Sequence, residues 1–289
     1  MFDWQDLQFF AVLARNGSLS AAARELGVDH ATVGRRVAAL ERSLGVRLIG
    51  RLPRSSPLTE QGAKIERRVA EVEDMVHGLR RHARGVAEPR PTTIRVSAPP
   101  AVAARLIAPH VSTFHKAHPN ITLVLLGATG MAALNRGEAD IAVRMMRPQE
   151  KQLVVRKIGV IRFGLYAARP YASVPPERWV FIGYEPALEY LTQETWLRNV
   201  AAGRPIVFQA SDVFGQQEAA RTGLGAVALP RFMGDADPAL TQLPAAPRPP
   251  TRDLWLITYP DLRRSPAVRA VMTFLAESVE RGCPIDAER

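Results

Sequence analysis

The chain has 289 residues, enough for roughly two domains, and 47% of them are apolar. No apolar run is long enough to span a bilayer, and Met1-Phe2-Asp3-Trp4 has neither a basic nor an apolar signal region, so a cytoplasmic protein with no membrane partner is expected. The single cysteine, Cys283, excludes an intrachain disulfide and a two-thiol switch, while the net charge of +10 suits a polyanionic partner.

That charge is informative where it concentrates. Residues 15–59 hold eight arginines against Glu25, Asp29 and Glu41, a local net charge of +5. Residues 4–14 predict a first helix with Leu7, Phe10, Ala11 and Ala14 on one face. Ser18 is placed to cap a second helix whose Ala22 and Leu26 share a face, and Gly27 can take the positive φ that ends it. Asp29 caps a third, in which Val33, Val37, Leu40 and Leu44 form one buried stripe opposite His30, Thr32, Gly34, Arg35 and Arg36. Two short helices about a glycine-containing turn are the helix-turn-helix pattern, whose second helix enters the DNA major groove. An ordinary helical hairpin with a solvated arginine face is the competing reading.

Beyond Gly45 the period changes. Val46–Ile49 and Ser56–Leu58 predict two short strands around a tip that carries Arg51 and Arg54, a small wing suited to phosphate contacts. The residues expected to meet DNA are Ser18, His30, Ala31, Thr32, Gly34, Arg35 and Arg36 in the helix pair, with Arg51 and Arg54 in the wing. Thr59 caps a long helix reaching about Arg84, with Ile65, Val69, Val72, Val76, Leu79 and Ala83 in a heptad seam. A stripe this narrow favours a partner helix over packing within one subunit, and so a homodimer matched to a two-fold DNA site.

In residues 7–62 the chain resembles the N-terminal domain of LysR-type transcriptional regulators. The resemblance rests on Leu7, Phe10, the run Gly17 to Ala23, Leu26, Val33, Arg35, Val37, Leu40-Glu41, Leu44-Gly45, Leu48, Arg51, Leu58-Thr59 and Gly62. His30, Gly34 and Ile49 depart from the family's usual Gln, Ser and Phe. Gly34 lowers helix propensity by about 1 kcal/mol against Ala and removes a hydroxyl from the DNA-facing surface.

After a Pro-containing linker at 85–93, strands and helices alternate. Strands are expected at 92–98, 121–126 and 141–145, with helices at 101–117 and 131–137. A second unit starts near Phe163, with helices at 187–200 and 211–222 and strands at 206–209, 226–229 and 253–258, before a closing helix at 265–280. The order implies a mainly parallel sheet covered by helices.

The resemblance continues here through Ile94 to Pro99, Phe114 with His118-Pro119, Leu134 to Val143, Gly223-Leu224-Gly225, Leu229-Pro230 and Ser265 to Val268. It implies a two-lobed, periplasmic-binding-protein-like α/β effector domain that holds a small molecule between its lobes. Carried over by position, the effector-binding residues would be Ser97, Pro100, Ala101, Val102, Thr129, Arg144, Met146, Ser211, Asp212 and Phe214. In that mostly apolar lining Arg144 needs an anion, either Asp212 or a carboxylate on the effector. The family also implies homotetramers and the transcription machinery as a further partner.

Catalytic chemistry finds no foothold. His110, His115 and His118 have no Cys or suitably spaced carboxylate, neither a phosphate loop nor a nucleophile elbow is present, and Cys283 falls after the closing helix, where a nucleophile would be poorly sheltered. No metal or cofactor is expected. The organisation expected is a winged helix-turn-helix over 1–58, a dimerising linker helix over 59–91 and the effector domain over 92–289. An architectural DNA-binding protein without a ligand, and an enzyme with a DNA-binding appendage, are the alternatives.

Overall fold

The computed structural model describes residues 3–50, 55–86, 92–128, 134, 138–150 and 152–285, apart from the side chains at 74 and 77–86. The chain divides into two compact units, Met1–Arg81 and His82–Arg289.

The first unit is built on α1 (Trp4–Asn16), α2 (Leu19–Leu26), α3 (His30–Leu44) and the start of α4 (Glu60–Val86). Each of the first three helices begins at a side-chain cap, where Asp3, Ser18 or Asp29 accepts an otherwise unpaired backbone N–H. The turn between α2 and α3 needs Gly27, whose φ of 67° lies in the left-handed region. Leu7, Phe10, Ala11, Ala22, Val33, Val37 and Leu40 of the predicted stripes close the core, and Leu13 joins them.

The two expected wing strands reduce, among the described residues, to one antiparallel bridge between Ile49 and Leu58. Glu41 pins its first arm by accepting from Leu48 N and Ile49 N, at 2.7 and 3.1 Å. The second arm runs into α4, where Thr59 Oγ1 accepts from Gly62 N at 2.9 Å as the expected cap. Gly62 allows this close approach, because a Cβ there would lie 2.0 Å from the Leu48 carbonyl oxygen.

The seam of α4 is divided, which corrects the expectation of one continuous dimer stripe. Val69 is buried in the winged-helix core, and Ile65 and Val72 pack against that core from its edge. These three side chains are covered by their own domain, since α4 starts directly under the wing. Val76 is 48% exposed, and the side chains of Leu79 and Ala83 lie outside the described residues.

The second unit contains β1 (Thr92–Ala98), β2 (Ile121–Gly127), β3 (Ile141–Arg144), β4 (Val154–Ala168), β5 (Phe181–Tyr184), β6 (Ile206–Ala210), β7 (Ala226–Pro230), β8 (Leu240–Leu243) and β9 (Thr251–Thr258). They follow the order β2-β1-β3-β9-β4-β7-β5-β6, with β8 on β4. The sheet is mixed, where a mainly parallel one was expected. β1 is parallel to β2 and β3, and β5 to β6 and β7, but β9 is antiparallel to both β3 and β4.

The cause is β4. Its first part pairs with β9 in one lobe, and from Phe163 onward it pairs with β7 and β8 in the other. The strand expected to start near Phe163 therefore begins at Val154 and links the two lobes. β5 and β8 were not anticipated. One lobe buries Ile94, Val96, Ile141, Val143, Leu256 and Val271. The other buries Leu165, Phe181, Trp196 and Ala226.

The helix expected at 101–117 is broken into Pro100–Val102, a π-helical segment Ala103–Ile107, a 3-10 turn Ala108–His110 and Val111–Ala117. Pro109 supplies no N–H, and the backbone re-registers around it. The expected helix at 187–200 resolves into a 3-10 turn, Pro186–Leu188, and a helix, Thr192–Ala201. The one expected at 131–137 lies outside the described residues except for Leu134.

Candidate DNA-reading face and effector cleft

On the first unit, α3 turns His30, Ala31 and Arg35 to solvent, with Thr32 and Gly34 half-buried beside them. Asp29 Oδ1 accepts from Thr32 N and its Oδ2 from the Thr32 hydroxyl, both at 2.7 Å, and these bonds hold its carboxyl below the usual range. Arg35 Nη2 donates to Thr32 Oγ1 at 3.0 Å, so the outermost cation of the face is linked to the helix cap. A Cβ on Gly34 would meet nothing within 4 Å. Ser18 is occupied as the α2 cap.

Arg36 does not stand on the DNA face. Its Nη1 donates to Asp3 at 3.0 Å and to Asp6 at 3.1 Å, and its Nη2 to Gln5 at 3.0 Å. These bonds raise its pKa, and its guanidinium lies 5.8 Å from the Phe9 ring centroid. The acids that claim it stand at the start of α1, thirty-odd residues away, where helix periodicity alone gives no sign of them. Arg51 and Arg54 lie outside the described residues.

On the second unit β1, β2 and β3 end at Ala98, Gly127 and Arg144, the strand ends to which the family resemblance assigns the effector cleft. Ser97 and Ala142, on β1 and β3, are register partners there, as are Ala98 and Gly127. Arg144, at the end of β3, is 2% exposed. Its Nη1 donates to Ser97 O at 2.9 Å and Val143 O at 2.7 Å, and its Nη2 to Ser97 Oγ at 2.8 Å. Its Nε is buried with no partner, and burial lowers the guanidinium pKa to about 10, which leaves it charged at neutral pH.

Asp212 is not the counter-ion of Arg144. It caps the helix Val213–Arg221 by accepting from Phe214 N and Gly215 N, each at 2.9 Å. Among the described residues, no carboxylate bonds Arg144.

The remaining expected lining divides. Pro100, Met146 and Ser211 are exposed, and Ala101 is half-buried. Val102 faces inward and belongs to the core of its lobe, because the chain turns at Pro100 to start the covering helix. Thr129 lies outside the described residues. Phe214 is half-buried, with the Arg105 guanidinium carbon 5.7 Å from its ring centroid.

Four further polar residues of the lobe junction escape a position-by-position reading: Arg105, Tyr184, Gln193 and Arg252. Burial raises the pKa of Tyr184, at the end of β5, with Gln193, Glu194, Asp212 and Arg252 as its electrostatic neighbours. Gln193 Oε1 is buried without a partner. Arg252 is half-buried, and burial lowers its pKa. The apolar run Trp179 to Tyr184 between two prolines carries a strand signal that would have exposed the Tyr184 end.

Cys283 is not poorly sheltered, as its place in the sequence implies. It is 2% exposed, and burial pushes its thiol up to about 12. It is a packing residue with no thiolate at neutral pH.

A capped helix-turn-helix with a solvent-facing second helix, joined to an α/β domain of two lobes linked by crossing strands, defines a DNA-binding transcriptional regulator with an effector-binding domain. Residues 4–63 match the bacterial regulatory helix-turn-helix model of the lysR family, and residues 87–280 match the LysR substrate binding domain. The chain belongs to the LysR family of transcriptional regulators.

It is 29% identical over 284 residues to the Mau operon transcriptional activator of Paracoccus denitrificans, covering 95% of this chain and 96% of that protein. It is similar over 96% of its length to the solved structure of CrgA, a LysR-type regulator from Neisseria meningitidis, covering 99% of that chain with a TM-score of 0.56 and 26% identity. The full-length Vibrio cholerae virulence activator AphB shares the fold, with a TM-score of 0.58 and 24% identity over 96% of this chain and 99% of that one.

Proposed function

We propose that the chain reads a two-fold DNA operator with α3 and adjusts that binding to a small carboxylate held in the cleft between its lobes. The division of labour is a DNA-binding segment at 1–58, a linker helix at 59–91 and an effector domain at 92–289. The row of His30, Ala31 and Arg35 facing solvent, with Thr32 and Gly34 half-buried beside them, supports the first part. Ser18 and the wing arginines Arg51 and Arg54 are assigned to the DNA backbone, which binds without reading sequence. Arg36, bonded to Asp3, Gln5 and Asp6, braces α3 on the start of α1 instead of contacting DNA.

The observation that supports a carboxylate is Arg144. It is a buried cation whose hydrogen bonds among the described residues go to Ser97 and Val143, and a desolvated charge of this kind gains most from an anion. With Arg144 we group Ser97, Pro100, Ala101, Thr129, Met146, Ser211, Asp212 and Phe214 as the effector-binding set.

The working form is a homodimer or a homotetramer, in the cytoplasm, with no catalytic activity of its own. No helix among the described residues is long and apolar enough to cross a membrane. A thermal-shift screen of small carboxylates against wild type and Arg144→Gln tests the effector assignment. Hits are expected to stabilise only the wild type, and an uncharged hit, or one that stabilises both chains equally, removes Arg144 from the site.

A further inference from the structure

The two lobes of the second unit are joined by a contact of the chain's own. Arg105 belongs to the lobe that contains β1 and β3, and its guanidinium carbon stands 5.7 Å from the ring centroid of Phe214, in the lobe that contains β5 and β6. That is within the range at which a cation and an aromatic face attract. Each partner sits on the first stretch of helix that follows a strand ending at the cleft. Arg105 follows β1 by way of Pro100–Val102, and Phe214 follows β6 directly behind its cap, Asp212.

The backbone under Arg105 is unusual. Residues Ala103–Ile107 form a π-helical segment, which widens the turn and re-aims the side chains it carries. Pro100 and Pro109 bracket that segment and restrict its hydrogen bonding from both ends. Among the described residues no carboxylate bonds Arg105, although the guanidinium is exposed and free to find one. On the other side, the Asp212 bonds to Phe214 N and Gly215 N fix the first turn that carries the ring. A cation on a re-aimed turn therefore meets an aromatic ring on a fixed one.

Resting on the effector cleft of the proposed function, we propose that Arg105 and Phe214 form a clasp that biases the two lobes toward closure independently of any effector, so that entry to and exit from the cleft require the clasp to open. An exposed cation–π contact shifts such an equilibrium about two- to fivefold, which sets a threshold and does not lock the cleft. Closure is then tunable from either lobe, by changing the cation or the ring.

Hydrogen–deuterium exchange on the full-length chain tests the clasp, because its signature appears in the lobe that was not altered. Phe214→Leu is expected to speed amide exchange about two- to fivefold in residues 100–107, and Arg105→Gln to do the same in residues 211–217. The double variant should exchange no faster than either single variant, since the clasp can be lost only once. Phe214→Tyr keeps the aromatic face and should behave as wild type.

Changes confined to the altered lobe, additive changes in the double variant, or a Tyr variant that behaves like Leu would each overturn the proposal. Should Phe214→Leu unfold its lobe, accelerated exchange in β7 will show it. The surface change Arg105→Gln then decides, through residues 211–217 alone.

Discussion

Arg35 and Arg36 are neighbours in sequence with different fates. Arg35 stays on the exposed row of α3, whereas Arg36 is bonded to Asp3, Asp6 and Gln5. Arg35→Ala is expected to cost about 1–3 kcal/mol on a specific site and to relax base preference. Arg36→Ala should instead lower the melting temperature of the winged-helix unit, because Asp6 is left with its side chain only 8% exposed and without that cation. Binding titrations and thermal melts on both variants separate the two roles.

Gly34 offers a complementary change. With open space at its Cβ position, Gly34→Ala should stabilise α3 by up to about 1 kcal/mol, measured by denaturant unfolding.

Cys283 gives a pH prediction. Its folded thiol is raised from 9.0 to about 12, so the unfolded chain ionises first as pH rises. Its contribution is whole below pH 9.0 and is lost progressively between there and about pH 12. Cys283→Ala should flatten the fall of stability across that window, although it also leaves a small cavity that lowers stability at every pH. A thiol reagent at neutral pH should label the native wild type only as fast as the chain opens.

At the scale of elements, α4 serves two surfaces in succession. Val69, 4% exposed, belongs to the winged-helix core, while Val76, 48% exposed, lies beyond it. Val69→Asp should unfold the first unit, since an unpaired carboxylate in an apolar core costs more than the roughly 2–7 kcal/mol of burying an unpaired neutral polar group. Val76→Asp should leave both units folded and weaken self-association. Circular dichroism with sedimentation distinguishes the two outcomes, and an undisturbed oligomer in Val76→Asp would place the subunit contact elsewhere.

The periodicity of α4 is the same in both halves, so the stripe alone cannot say where the core ends. That depends on the wing, which meets α4 at Gly62 and Leu48. Caps and stripes made α1, α2 and α3 legible, because Ser18, Asp29 and Gly27 act within a few residues of themselves. The mixed sheet was not legible to the same degree. β9 pairs with β3 and with β4, each about a hundred residues earlier, and β4 carries no signal that it serves both lobes. The place of Arg144 at the end of β3 follows from the strand pattern, but its bonds to Ser97, 47 residues away, depend on the pairing of β1 with β3.

At the scale of the molecule, a winged helix-turn-helix and a two-lobed effector domain are joined in one chain of net charge +10, with five positive charges in excess over residues 15–59. Binding to any DNA should weaken steeply with salt, because the arginines release counterions from phosphate. Specific binding is expected to add base contacts from α3 to that common term. The measurement that bears most directly on this organisation is selection of bound fragments from a random-sequence DNA pool, run in parallel with the full-length wild type and Arg35→Ala. Wild type should enrich fragments that share a motif repeated with two-fold symmetry, and Arg35→Ala should lose that enrichment while still retaining DNA at low salt. A wild-type pool with no motif above the input would contradict a sequence-reading regulator and leave a protein that holds DNA by its backbone alone.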